Sequence, residues 1–313
     1  MTQKVAVPAY LSQAGKDYLT DHGFELIETA DQKAATLAKE ATDADGIVLM
    51  TDPFPNEMIE KMPNLKVIAR HGVGYDNVDQ DFFGDHGVWV TITPTANAAT
   101  VAETTLAAMF NISANLTADI NHMKAGEWGW AGNHKGFDLA GKTLGIMGYG
   151  RIGRMVAAKA SALDMHVIAY DPFAKGDGNA ELVDRDTLLK TADIVTLHML
   201  VTPETTHSIG EKEFKMMKPT ATLINFGRAA LVDQQAMQAA LRNGEIAHGF
   251  VDVFDEEPLP KDDPWFSTPN VLLTPHIASN TTECMNRMAT DAASEVVRVL
   301  NGEKPKWNVN QLK

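Results

Sequence analysis

The stretch TLGIMGYGRIG at residues 143–153 joins a short apolar run to a glycine-rich turn of the form GxGxxG. Its first five residues predict a strand that enters the turn, and the residues that follow predict a helix that leaves it. Gly148 permits the tight bend, Gly150 lets the backbone approach a phosphate group, and Gly153 lets helix and strand pack closely. Because the first N–H groups of a helix are unpaired, this turn is suited to an anion such as a pyrophosphate.

An acidic residue stands where a bound ribose is expected. Asp171 ends the next apolar run, 18 residues past Gly153, close to the roughly 20 residues typical of dinucleotide sites. A carboxylate there accepts hydrogen bonds from ribose hydroxyls and repels a 2′-phosphate. No Arg follows Asp171 in the next three positions, and Lys175 is the only nearby cation. The pattern therefore predicts a dinucleotide site that favours NAD over NADP, rather than a tight turn without a ligand.

Short apolar runs alternate with helix-length polar segments along most of the chain. Strands are predicted at 4–7, 46–50, 67–69, 88–92, 143–147, 166–170, 194–198, 222–225, 249–253 and 271–274. Helices are predicted at 97–116, 152–163, 185–191, 211–217, 234–243 and 282–300, and a loop at 124–136. Such alternation is typical of parallel sheets with helices on both faces. We therefore expect an α/β fold with two doubly wound parallel-sheet domains.

The composition limits the classes of partner. The chain has 313 residues, of which 44% are hydrophobic and 22% charged, with a formal net charge of −14. Nucleic-acid binding is disfavoured, because phosphate contacts need clustered Lys and Arg. No apolar run approaches the roughly 18 residues needed to span a bilayer, and the start does not resemble a secretory signal. With Cys284 as the single cysteine, we expect a cytoplasmic protein without a disulfide, a membrane or a nucleic-acid partner.

Charged side chains follow the later predicted strands at their carboxyl ends, where ligands bind in open α/β sheets. Arg228 follows one strand, Asp252 and Glu257 lie at and after the next, and His276 follows the last. Hydride transfer to a 2-oxo acid uses such a set. An arginine anchors the carboxylate, a histidine moves the proton, and a carboxylate holds the histidine in one tautomer. Each residue could instead be an ordinary surface residue, and the order of the sequence leaves this open.

Several ordered motifs resemble those of the D-isomer-specific 2-hydroxyacid dehydrogenases over essentially the whole chain. They are GVGYDNVD (72–79), VAE (101–103), the glycine turn, NFGR (225–228), DVFDEEP (252–258) and TPH (274–276). The resemblance implies two Rossmann/flavodoxin-like domains with a cleft between them. The substrate domain would be discontinuous, 1–96 plus 284–313, and the NAD-binding domain would be 97–283. It also implies a homodimer built by the long helix that starts at Asn97.

The resemblance also implies roles for individual residues in the reversible reduction of a 2-oxo acid to a D-2-hydroxy acid. His276 would be the acid/base, Glu257 its partner, and Arg228 the group that binds and polarises the substrate. Backbone N–H groups around Val73 and Gly74 would hold the substrate carboxylate. The residues implied to contact the cofactor are Gly148, Gly150, Arg151, Ile152, Gly153, Asp171, Met199, Leu200, Thr205, Phe226, Gly227, Arg228, Asp252 and His276. We expect NAD as the cofactor and no metal.

One departure from the family pattern and two neighbouring activities bear on these roles. The family often has glycine after the substrate arginine, whereas Ala229 follows Arg228 here, which leaves the guanidinium in place. Formate dehydrogenases of the family pair their histidine with glutamine, so Glu257 disfavours that activity. A phosphoglycerate-dehydrogenase-like enzyme needs extra cations for the phosphate, and Arg70 and His71 are the candidates.

A different class of protein also remains open. Some relatives of this fold are NAD-binding corepressors that bind partner proteins, and such a protein would be catalytically silent. The complete candidate catalytic set disfavours this alternative. The identity of the 2-hydroxy acid and the physiological direction stay open; Phe54, in a proline-rich loop, is a candidate for lining the substrate pocket.

Overall fold

In the computed structural model, which describes residues 2–313, two parallel sheets form the centres of two separate units. One unit comprises the residues up to Asn97 together with Asn280–Lys313, and the other comprises Ala98–Ser279. The predicted α/β fold with two parallel-sheet domains is confirmed. The domains 1–96 plus 284–313 and 97–283 stay predictions as functional divisions.

The secondary structure alternates between strand and helix in both units. The strands are β1 (Lys4–Pro8), β2 (Glu25–Thr29), β3 (Gly46–Leu49), β4 (Val67–Arg70), β5 (Trp89–Thr91), β6 (Thr143–Met147), β7 (His166–Tyr170), β8 (Glu181–Leu182), β9 (Ile194–Leu197), β10 (Thr222–Asn225), β11 (His248–Val251) and β12 (Val271–Leu273). The helices are α1 (Gln13–Asp21), α2 (Ala34–Glu40), α3 (Met58–Lys61), α4 (Gln80–Asp85), α5 (Ala98–Ser113), α6 (Leu116–Lys124), α7 (Trp130–Asn133), α8 (Arg151–Ser161), α9 (Arg185–Thr191), α10 (Glu211–Met216), α11 (Gln234–Asn243) and α12 (Thr282–Leu300). Short 3₁₀ turns lie at Ala229–Leu231 and Pro264–Ser267.

The first unit has the strand order β2-β1-β3-β4-β5, with parallel pairing throughout these five strands. Val5 and Val67 point to one face and pack with residues of α1 and α12. Ile47 and Ile68 point to the other face and pack with residues of α2, α3 and α4. Since both faces of the sheet are covered, its central strands are continuous apolar runs rather than alternating ones.

The second unit has the strand order β12-β11-β10-β9-β6-β7-β8, again with parallel pairing. One face packs Ile146 against α5 and α8, and the opposite face packs Val195 and Leu223 against α9, α10 and α11. Because all of these strands point the same way, the segments that follow them emerge at one edge of the sheet. That edge carries most of the residues singled out in the sequence.

The structure corrects three sequence predictions about elements. Strand β2 was missed, because its ELIET sequence mixes partly buried and exposed positions at the edge of the sheet. The helix predicted over 97–116 ends at Ser113, since Asn115 adopts a left-handed φ of 52° before α6 begins. The predicted loop 124–136 contains the short helix α7. Among the described residues, no helix is long and apolar enough to cross a membrane.

The suggested role of Phe54 is wrong. Its side chain is buried in the core of the first unit, where it packs on the ring of Phe83 with a centroid distance of 5.4 Å. The backbone of Phe54 also bridges to Val78. The proline-rich loop therefore supplies a core residue at this position.

Candidate active site

The glycine turn lies between β6 and α8 and depends on the absence of side chains. Gly148 has φ 92°, and a Cβ there would lie 2.6 Å from the carbonyl carbon of His198. A Cβ on Gly153 would lie 2.2 Å from the carbonyl oxygen of Gly148. A Cβ on Gly150 would meet nothing within 4 Å. The turn is thus packed tightly on its protein side and is open at Gly150, where the backbone would approach a pyrophosphate.

Asp171, directly after β7, is fastened to this turn. Its Oδ2 accepts a hydrogen bond from the N–H of Tyr149 at 2.9 Å. Its Oδ1 accepts from the N–H groups of Phe173 and Ala174 at 2.9 and 3.1 Å. Three backbone donors therefore hold the carboxylate in one orientation next to the glycine turn, as a ribose-binding acid requires.

The segment after β9 contains three of the expected cofactor residues. Thr205 organises it, because its hydroxyl donates to the carbonyl of Leu200 at 2.6 Å and accepts from the N–H of Thr202 at 2.7 Å. The Leu200 side chain is 65% exposed, and Met199 is partly buried. An exposed apolar side chain beside the glycine turn suits contact with a planar ring of a cofactor.

Arg228 follows β10 in a turn shaped by a residue that the sequence analysis did not single out. The side-chain amide of Asn225 donates to the carbonyl of Arg228 at 2.9 Å, and its Oδ1 accepts from the N–H of Gly227 at 3.1 Å. Phe226 is buried and packs edge-on against Phe250. Asn225 thereby fixes the backbone from which the Arg228 side chain leaves. The NFGR motif contained this residue, but no short-range pattern distinguishes a turn-forming Asn from a ligand.

His276 and Glu257 form a direct pair. The Nδ1 of His276 lies 2.8 Å from Oε2 of Glu257, and both side chains are about one-third exposed, 34% and 35%. The other carboxylate oxygen of Glu257 accepts from the N–H of Phe254 at 2.9 Å. His276 has a left-handed φ of 55°, which is uncommon for a residue other than glycine and is found at functional sites. The pair is thus held by both side-chain and backbone geometry.

The electrostatics of Glu257 favour its charged form. Burial alone would raise its pKa, but the hydrogen bonds from His276 and from the N–H of Phe254, and the charges of His276 and Arg228, together lower it. A carboxylate that stays ionised can fix the tautomer of its histidine partner and stabilise an imidazolium.

Asp252, at the end of β11, supports the segment that carries His276. It is fully buried, and its Oδ1 accepts from the Thr274 hydroxyl at 2.6 Å and from the N–H of Ile277 at 2.8 Å. Its Oδ2 accepts from the N–H of Ala278 at 2.8 Å. Burial raises the pKa of Asp252 despite these hydrogen bonds. Contact of Asp252 with the cofactor stays a prediction, and its observed partners are the residues on either side of His276.

Val73 and Gly74 lie in the first unit, in the loop after β4. The guanidinium of Arg70 donates to the carbonyls of Leu49, at 2.7 Å, of Met50, and of Gly74, at 2.9 Å. The loop is therefore pinned to the end of β3 through Arg70, which leaves a defined backbone at Val73 and Gly74.

The same contacts weigh against the candidate phosphate cations. Arg70 is 3% exposed and directs its guanidinium to backbone carbonyls. His71 is 6% exposed, and burial lowers its pKa to about 4, so that the imidazole is neutral near pH 7. Neither side chain offers an accessible positive charge to a phosphate group in this unit.

Comparisons with known proteins agree on one family. The family model described as D-isomer specific 2-hydroxyacid dehydrogenase, NAD binding domain, matches residues 106–278. A glyoxylate reductase from Korarchaeum cryptofilum is 36% identical over 322 residues, covering 99% of this chain and 97% of that protein. A D-3-phosphoglycerate dehydrogenase from Methanocaldococcus jannaschii is 38% identical over 313 residues, covering 98% of this chain but 59% of that protein. The structure of an NAD-dependent formate dehydrogenase from Staphylococcus aureus in complex with NAD superposes with a TM-score of 0.87 at 28% identity, covering 96% of this chain and 97% of that one.

Proposed function

The chain belongs to the D-isomer specific 2-hydroxyacid dehydrogenase family, and we propose that His276, Glu257 and Arg228 carry out its reaction. That reaction is the reversible NAD-dependent reduction of a 2-oxo acid to a D-2-hydroxy acid. The observation that supports these roles best is the 2.8 Å contact between Nδ1 of His276 and Oε2 of Glu257. It pairs an imidazole with an ionised carboxylate at the sheet edge that also carries the glycine turn.

The hydrogen bond that His276 makes with Glu257 indicates which atom of the imidazole faces the substrate. Because Nδ1 of His276 faces Glu257, Nδ1 carries a proton and Nε2 is the atom that exchanges a proton with the substrate oxygen. In reduction, Nε2 protonates the carbonyl oxygen as the hydride arrives, and in oxidation it removes the hydroxyl proton. Arg228 provides a two-pronged donor for the substrate carboxylate and carbonyl. When bound, NADH would supply the hydride for reduction and NAD⁺ would accept it in oxidation, and Glu257 would stabilise the imidazolium.

The residues of the second unit also fit the cofactor. The open space at Gly150 suits a pyrophosphate at the start of α8, with Arg151, Ile152 and Gly153 forming its first turn. Asp171 is oriented for the ribose. We assign the remaining contacts with NAD to Met199, Leu200, Thr205, Phe226, Gly227, Arg228, Asp252 and His276.

For the substrate we propose a small 2-oxo acid without a phosphate, of which glyoxylate is the simplest example. The backbone N–H groups of Val73 and Gly74 would hold its carboxylate, on a loop that Arg70 fixes. A relative named glyoxylate reductase matches almost the full chain. The phosphoglycerate-dehydrogenase-like activity is the second candidate, supported by the similarity to an enzyme of that name, but the burial of Arg70 and His71 disfavours it.

The test is NADH oxidation with glyoxylate, pyruvate, hydroxypyruvate and 3-phosphohydroxypyruvate. We expect turnover of the unphosphorylated acids. In His276→Asn we expect a rate lower by about 10²- to 10⁴-fold, the range that general acid–base catalysis contributes, with NADH binding retained. His166→Asn, an exposed histidine on β7, is the matched control and should keep full activity. Preference for the phosphorylated acid would favour the second candidate. Silence on every acid despite NADH binding would favour a catalytically silent binding protein and overturn the proposed roles.

We also propose that the protein is a homodimer that uses an apolar surface on α5, α6 and the segment after them. Five large apolar side chains of this surface are 44–82% exposed: Phe110, Leu116, Ile120, Met123 and Trp128. Exposed apolar patches of this kind mark association surfaces. Ile120→Lys should yield monomers in sedimentation velocity, whereas Phe266→Ser, an exposed phenylalanine elsewhere, should not. A monomeric parent protein would refute the proposal.

The cytoplasmic location and the absence of a nucleic-acid partner stay predictions.

A further inference from the structure

The segment 171–179, which follows β7, is fastened to the glycine turn at a second point besides Asp171. The hydroxyl of Tyr149 donates to Oδ1 of Asp177 at 2.6 Å. The same tyrosine donates its backbone N–H to Asp171 at the start of the segment. Tyr149 is thus the link between the glycine turn and both ends of this segment, although its position in the GxGxxG motif accepts any residue.

Arg154, on the first turns of α8, completes the arrangement. Its Nη1 donates to Oδ2 of Asp177 at 2.8 Å, and its Nη2 donates to the carbonyl of Lys175 at 2.7 Å. Its guanidinium carbon lies 4.6 Å from the centroid of the Tyr149 ring, within the range of a cation–π contact. The Arg154 and Asp177 side chains are about one-third exposed, 34% and 28%. The guanidinium of Arg154 therefore contacts the segment 171–179, which begins with the proposed ribose-binding Asp171. The carboxylate of Asp177 neutralises its charge.

The charge state of Asp177 agrees with this role. Its pKa lies well below the ordinary value, because the hydrogen bond from Tyr149, the N–H of Asn179 and the hydrogen bond from Arg154 all stabilise the carboxylate. The acid is therefore ionised near neutral pH. Arg154 accordingly presents little net positive charge to a ligand at this edge.

We infer that Tyr149, Arg154 and Asp177 form a clamp that sets the preference between NAD and NADP. Tyr149 and Arg154 hold the segment so that Asp171 faces the ribose. Asp177 cancels the charge of Arg154, which would otherwise attract a 2′-phosphate. The inference rests on the proposed role of Asp171 and extends it, since the discrimination then depends on a neutralised cation as well as on a repelling acid.

Replacing Asp177 by Asn tests the charge without removing the acceptor for Tyr149. The amide oxygen can still accept the tyrosine hydroxyl, whereas Arg154 loses its counter-ion. We expect the ratio of the NADPH to the NADH association constants to rise by about fivefold, the size of one partly exposed ion pair, in titrations of cofactor fluorescence. The gain should shrink at about 0.5 M salt, because exposed charges are screened there. The double variant D177N/R154Q should lose the gain.

Two controls separate this outcome from others. Asp186→Asn removes the same charge from an exposed pair with Lys190 on α9, and it should leave the ratio unchanged. Asp171→Ala should weaken NADH on its own; if it does not, the proposed ribose site fails regardless of the clamp. Three outcomes would overturn the clamp. D177N could leave the ratio of NADPH to NADH association constants no higher than D186N does, or it could change both association constants by the same factor. The double variant D177N/R154Q could also keep the raised ratio.

Discussion

At the scale of single residues, two glycines of one turn have different physical roles. Ala at Gly153 would place a methyl group 2.2 Å from the carbonyl oxygen of Gly148, so strand and helix would have to separate. Ala at Gly150 would meet no protein atom within 4 Å, and its φ of −80° is ordinary for any residue. The fold therefore requires glycine at position 153, whereas at position 150 glycine is required only by a ligand that approaches the turn.

This difference gives a prediction for the pair of variants. Gly153→Ala should lower the free energy of unfolding by about 1–3 kcal/mol, the usual cost of overpacking. Gly150→Ala should leave the free energy of unfolding unchanged, but it should weaken NADH binding by about tenfold. The added methyl group would keep the pyrophosphate away from the backbone, and tenfold is about the effect of losing one hydrogen bond to a charged group. Urea unfolding and cofactor titration measure the two quantities. If Gly150→Ala binds NADH normally, the pyrophosphate does not lie at this turn.

Residues differ in how far the sequence could locate them. Arg228, Glu257 and His276 were found because each follows a strand, and parallel strands deliver such residues to one edge. The sequence does not predict the contact between Tyr149 and Asp177, because the two residues lie 28 positions apart. No local pattern encodes a hydrogen bond between residues so distant in sequence. Only the fold brings such partners together.

At the scale of elements, apolar runs predicted the buried strands well, but they predicted the edge strand β2 and the end of α5 poorly. Runs such as 143–147 and 222–225 match β6 and β10 because both faces of these strands are covered, so nearly every position is apolar. Strand β2 lies at a sheet edge and has polar positions, so its pattern resembles a loop. The end of α5 depended on the left-handed Asn115, a conformation that the composition of the helix does not reveal.

The end of β11 gives a prediction at this scale. The three hydrogen bonds that Asp252 accepts all come from residues 274–278 around His276. Asp252→Asn would turn one acceptor into a donor that faces a backbone N–H, so a buried group loses its partner. We expect a loss of about 1–3 kcal/mol in the free energy of unfolding and a lower kcat. Asp233→Ala, at the start of α11, where the acid caps a helix, should lower stability by about 0.5–2 kcal/mol without lowering kcat. Equal kcat in both variants would show that Asp252 does not position His276.

At the scale of the whole molecule, each unit contains a partly or fully buried histidine outside the proposed proton-transfer pair. His71 belongs to the first unit and His198 to the second. Burial lowers the pKa of each to about 4. In the unfolded chain a histidine has a pKa near 6.5, so the unfolded state binds more protons than the folded state between these two values. Stability is therefore fully present above about pH 6.5 and is lost as the pH falls towards 4.

The size of this effect can be predicted for His71, which is 6% exposed. Between pH 7 and pH 5, a change of pKa from 6.5 to about 4 corresponds to a loss of about 2 kcal/mol. His71→Gln should remove that part of the pH dependence of urea unfolding, whatever it does to stability at pH 7, because glutamine does not titrate. His22→Gln, an exposed histidine that ends α1 in the same unit, should keep the parent dependence. A His71→Gln protein that loses as much stability as the parent on acidification would show that this imidazole is not held neutral by burial, and the case against His71 as a phosphate-binding cation would fall with it.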